Sequence, residues 1–90
     1  MPNVVDLTLV SNARRVLRTL LEERNLGFFL DASSRTPRLD PRRIAWVVEA
    51  ARRQVDARTR DDPNALSRTR RVVRRELIRL VSEAMLQAGL

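Results

Sequence analysis

Two Asp-Pro pairs, Asp40-Pro41 and Asp62-Pro63, divide the chain more firmly than any other feature. Proline lacks the backbone N–H and has a fixed φ, so a helix accepts it only in the first turn, where that N–H would have no partner. An aspartate just before it can accept from the free N–H groups of the same turn. Each pair therefore predicts a helix start. Leu39 reinforces the first one, because it can staple onto Ile44 across the cap.

The apolar residues after these starts recur at helical spacing. Ile44, Val47, Val48, Ala51 and Val55 share one face, and the pattern decays by Arg60. Leu66, Val73, Leu77, Leu80, Val81, Ala84 and Ala88 form a longer stripe that Gly89 is placed to close. Leu66, Val73 and Leu80 are heptad-spaced, but the run is short and Arg70 intrudes, so a coiled coil is poorly supported.

Ahead of Asp40, Leu9, Val10, Ala13, Leu17, Leu20 and Leu21 continue as a third stripe, predicting a helix through Asn25 that Gly27 ends as a left-handed cap. Val5, Leu7 and Leu9 also alternate with polar neighbours, so a short strand over 4–10 is the competing reading of the start. Leu26, Phe28, Phe29 and Leu30 are expected to plug one end of the core. Asp31 to Leu39, rich in Ser and Thr and broken by Pro37, reads as a loop. The expectation is an all-α, single three-helix domain over 1–90, with helices near 6–25, 41–58 and 63–88 and a loop near 31–39. The short connection around Asp61 to Asn64 makes the last two helices an antiparallel pair.

A chain of 90 residues buries only roughly 60% of its unfolded surface, so the core is modest. The absence of cysteine and histidine removes disulfides, thiolate and imidazole metal sites, and Ser-His-Asp or Cys-His catalysis. The remaining carboxylates read as caps and ion-pair partners: Glu22-Glu23 and Asp61-Asp62 are helix-end charges, with no third ligand nearby to make the latter a metal site. No enzyme activity, cofactor or small-molecule substrate is expected. No segment reaches the roughly 18–20 apolar residues of a membrane span, and the first ten residues do not resemble a signal peptide. The expected setting is cytoplasmic or nucleoid-associated, or a virion.

The formal charge is +7, and all 18 basic residues are arginine. The missing lysine has two explanations: a coding bias that enriches Arg, Ala, Leu and Val together, or the planar guanidinium fork that suits phosphate. Neither choice accounts for the excess of charge, which is unevenly placed. Residues 1–40 hold six arginines against five acids, whereas residues 41–90 hold twelve against six.

On the third helix Arg68, Arg71, Arg75 and Arg79 are three, four and four apart, which sets them on one face opposite the apolar stripe. Arg74 and Arg70 flank this ridge, and Glu76 and Glu83 are expected to project to its side. A solvated face would more often mix signs, so the ridge points to a polyanion. Trp46 lies off the apolar face of the second helix, on the side of Arg42 and Arg53, where it either stacks on a base or packs within the fold. Arg35 and Arg38 in the loop are further candidates for phosphate contact, together with the neighbouring hydroxyl groups. The pattern favours a nucleic-acid-binding protein, for DNA or RNA, directed at the phosphate backbone with little sequence preference. Self-association, as a homo-oligomer or a genome-coating assembly, is compatible with the small core. The competing reading is a structural or adaptor subunit whose arginines meet acidic protein surfaces.

Overall fold

The computed structural model describes residues 7–55 and 63–90. The described residues form α1 (Leu7–Glu22), a 3-10 helix (Leu26–Phe29), α2 (Pro41–Val55) and α3 (Pro63–Gln87). The fold is all-α, as the periodicity predicts. Leu7 to Val10 belong to α1, so the strand reading fails there; residues 4–6 lie outside the described residues, as do the expected cap Asp62 and the end of the second helix.

The first helix stops earlier than expected. It ends at Glu22, and Asn25 adopts an extended backbone whose side chain accepts the Phe28 N–H at 3.1 Å. Asparagine thus caps a new short helix rather than ending the old one. Gly27 sits inside that 3-10 helix and is not a left-handed cap. This second turn carries Phe29 into the core, where it is fully buried.

The chain then closes on itself before α2. Leu30 and Leu39 form an antiparallel bridge, with Asp31 N–H donating to the Arg38 carbonyl and Asp40 N–H to the Phe29 carbonyl, both at 2.8 Å. Within the loop the Asp31 carboxylate accepts from the Ser33 hydroxyl at 2.7 Å and the Ser33 N–H at 2.9 Å. These bonds hold the Asp31 carboxyl below its ordinary pKa, the hydroxyl contributing most.

Asp40 then caps α2 as the sequence predicts: its side chain accepts the Arg42 N–H at 2.9 Å, and Pro41 is the first helical residue. Asp40→Ala is expected to cost about 0.5–2 kcal/mol in urea unfolding; an unchanged midpoint would show that the cap contributes nothing. At the other end of the chain, Gly89 has φ 78°, its N–H donates to the Leu86 carbonyl, and the Leu90 N–H reaches back to Met85 at 2.9 Å. That pair of bonds is a Schellman closure, which needs the left-handed residue glycine supplies.

The core is the meeting line of the three stripes. Ala13, Leu17 and Leu20 from α1, Ile44, Val47, Val48 and Ala51 from α2, and Val73, Leu77 and Val81 from α3 are buried around Phe29. Leu26, Phe28 and Leu39 pack against this core from the connection, which plugs one end as expected. Ala88 falls beyond the helix and is exposed, while Thr69, near the start of α3 and outside the expected stripe, is buried. Each α-helix touches the other two. At 1.5 Å per residue α3 is about 37 Å long, which accounts for most of the 43 Å long axis.

Candidate nucleic-acid interface

Helix α3 meets each neighbour through an apolar seam, and beside each seam one glutamate gathers arginines from two helices. On the α2 side Glu49 receives two nitrogens of Arg70, Nε and Nη2, and also the Arg52 guanidinium, at 2.9 Å. Contact between the second half of α2 and the early part of α3 is what an antiparallel pair produces. On the α1 side Glu76 receives Arg14 at 3.1 Å and Arg79 at 3.0 Å. Its side chain is only 8% exposed, so the pairing satisfies a carboxylate that would be costly to bury alone. No buried side-chain polar atom among the described residues lacks a partner.

These contacts correct the expected ridge. Glu76 does not project to the side: it lies in the α1–α3 interface, because Arg14 approaches it from 62 residues away. Arg79 is drawn to it and to Glu83, at 2.7 Å, so its charge is neutralised within the fold. Arg68, Arg71, Arg74 and Arg75 are exposed and have no ion-pair partner among the described residues. Arg71 and Arg74 line a groove of about 370 Å³ between α2 and α3, together with Arg70, Glu49, Ala45 and Val48. Its floor is apolar and its Glu49 is already occupied by two guanidiniums. The free charge on its wall is therefore positive.

Both anchoring glutamates titrate low. Hydrogen bonding from Arg70 depresses Glu49 most, against the opposing effect of burial, with Arg52 adding to the depression. Burial is the largest influence on Glu76 and raises its pKa, but the bonds and charges of Arg14 and Arg79 together outweigh it. A carboxylate depressed in the folded state stabilises the fold above its unfolded pKa, and that contribution is lost as pH falls through the folded value. Stability is therefore expected to hold from neutral pH to about 5 and to decline below the ordinary glutamate value of 4.5. Glu76→Gln should lower stability at neutral pH and flatten the acid decline. Equal acid sensitivity in that variant would contradict the assignment to Glu76.

The outer face of α2 carries the other candidates. Arg42 and Arg53 are exposed, and neither guanidinium has an ion-pair partner among the described residues. Trp46 is 54% exposed between them. It packs against Phe28 with ring centroids 5.9 Å apart, and the Arg24 guanidinium stands 5.0 Å from its ring centre. Arg24 and Arg43 also lie 5.3 Å and 4.8 Å from the centre of the Phe28 ring. Arg24, Arg43 and Phe28 are absent from the sequence-derived candidates. Only their nearness in space, from just after α1, the 3-10 helix and α2, gives them a common place. The loop arginines Arg35 and Arg38 are exposed, but the nearby serine hydroxyls are engaged: Ser33 with Asp31, and Ser34 with the Thr36 carbonyl at 2.7 Å.

Among the described residues no helix is long and apolar enough to cross a membrane. Compared with protein-family models, characterised proteins and solved structures, the chain matches none of them.

Proposed function

We propose that the protein binds nucleic acid through the arginines of α2 and α3, mainly by contact with phosphates. The observation that carries this reading is the separation of the arginines into two groups. Arg14, Arg52, Arg70 and Arg79 are engaged on Glu49 and Glu76, with Arg14 and Arg70 reaching across from a neighbouring helix and Arg52 and Arg79 pairing within their own. Arg68, Arg71, Arg74 and Arg75 are left exposed along one helix, where like charges at three- and four-residue spacing repel by a few tenths of a kcal/mol per pair. Arginine presents a planar fork that fits phosphate oxygens two at a time. A polyanion lying along α3 relieves the repulsion and uses that geometry.

Backbone contact of this kind carries little sequence information. The role it suits is coating or packaging nucleic acid, or serving as a subunit of a larger nucleoprotein, in the cytoplasm, a nucleoid or a virion. Self-association would extend the same basic surface along a strand. A second reading, an adaptor that meets acidic protein surfaces, uses the same arginines but predicts no preference for phosphate.

The test is binding of a fluorescently labelled oligonucleotide of arbitrary sequence. Binding at low salt that weakens steeply as salt rises supports the proposal. No binding at low salt overturns it.

A further inference from the structure

We propose that Trp46, held by Phe28 and Arg24, is a stacking platform for an unpaired base, so that the preferred nucleic acid is single-stranded. This rests on the phosphate-binding reading above and adds the class of strand. The first observation is that the cluster is built but left open. Phe29, wholly buried, meets Phe28 edge-on with centroids 5.2 Å apart, and Phe28 in turn supports Trp46. Arg24 stands over both Phe28 and Trp46 and fixes their relation. Yet more than half of the tryptophan remains in water. A tryptophan serving only to fill the core would bury its large apolar surface, as Phe29 does.

The second observation is charge complementarity around the open ring. Arg42 lies four residues before Trp46 and Arg53 seven residues after it, on the same outward side of α2. Along the helix axis they stand about 6 Å and 10 Å from the indole. They bracket it with two guanidiniums that have no ion-pair partner among the described residues. A strand crossing α2 can place phosphates on the arginines and the intervening base on the ring. Inside a duplex both faces of each base are already stacked, so away from the duplex ends an exposed aromatic gains nothing without unstacking. Single strands offer free base faces, and stacking on aromatics tolerates any sequence.

The experiment compares three labelled probes of equal length: a base-bearing single strand, an abasic single strand and a duplex. The base-bearing strand is expected to bind about 5- to 100-fold more tightly than the abasic one, and to quench Trp46, the chain's only tryptophan. The duplex should bind without quenching. Trp46→Ala, read by anisotropy of the labelled strand, should retain binding to the abasic probe and lose the preference for bases. Trp46→Phe should restore part of it. Alanine at an exposed helix position preserves the helix, and circular dichroism checks that both variants fold. Equal affinity for base-bearing and abasic strands, or a base preference that survives Trp46→Ala, would overturn the platform while leaving phosphate binding intact. Failure of all three probes to bind would overturn the phosphate reading itself.

Discussion

Arg71→Glu combined with Arg75→Glu is expected to weaken oligonucleotide binding by about 10²- to 10³-fold, while leaving the fold as stable as before. Four units of charge change beside phosphates, at roughly 1 kcal/mol each in a water-like dielectric, give that range. Neither side chain contributes an ion pair to the described fold, so no structural contact is lost. The repulsion between positions 71 and 75 persists as a pair of glutamates. Each glutamate, however, gains arginine neighbours at helical spacing, Arg68 and Arg74 for the first and Arg79 for the second, which should even raise stability by a few tenths of a kcal/mol. The separation of the two effects is the informative part. Reversing Arg70 or Arg79 would disrupt Glu49 or Glu76 and perturb stability as well. Loss of binding by Arg71→Glu with Arg75→Glu, together with a comparable loss of stability, would contradict the division into structural and free arginines.

Leu77→Ala is expected to lower stability by about 2–5 kcal/mol. Leu77 is wholly inaccessible in the core on α3. Shortening it removes transfer free energy and leaves a cavity that helices tied at Glu49 and Glu76 close only in part. A domain of this size has roughly 5–15 kcal/mol in total, so the loss is a large share and corresponds to about 10–30 °C in Tm. Leu86→Ala is the control, because Leu86 is 75% exposed on the same helix, and it should change stability by no more than about 0.5 kcal/mol. Similar effects for the two leucines would contradict the placement of the core.

The helices were legible because their signals are local. Asp40 and Pro41 fix the start of α2 through two adjacent residues, and Gly89 ends α3 through its own backbone conformation. The inner faces of α1 and α2 follow from spacing alone. Errors arise where a competing cap or a distant residue intervenes. Asn25 and Gly27 look like the end of a long helix until Asn25 caps the 3-10 helix that delivers Phe29 to the core. Arg79 looks like part of an outward ridge, and Glu76 like a residue projecting to its side, until Arg14 arrives from another helix. Trp46 has no nearby sequence partner that reveals its support by Phe28 and Arg24. The arginine excess was visible in the chain, but its division between holding the helices and facing outward is a property of tertiary contact.

The central claim is that the free arginines of α3 meet nucleic-acid phosphates, and the salt dependence of binding tests it most directly. The logarithm of affinity falls with the logarithm of salt in proportion to the phosphates neutralised, about 0.7 per contact on a single strand. Arg71→Gln with Arg74→Gln should therefore reduce the slope by roughly 1.4. Arg18→Gln, at an exposed arginine of α1 with no ion-pair partner among the described residues, changes net charge in the same direction and should leave the slope as it is. A slope unchanged by Arg71→Gln with Arg74→Gln, or reduced per charge as much by Arg18→Gln, would contradict the claim.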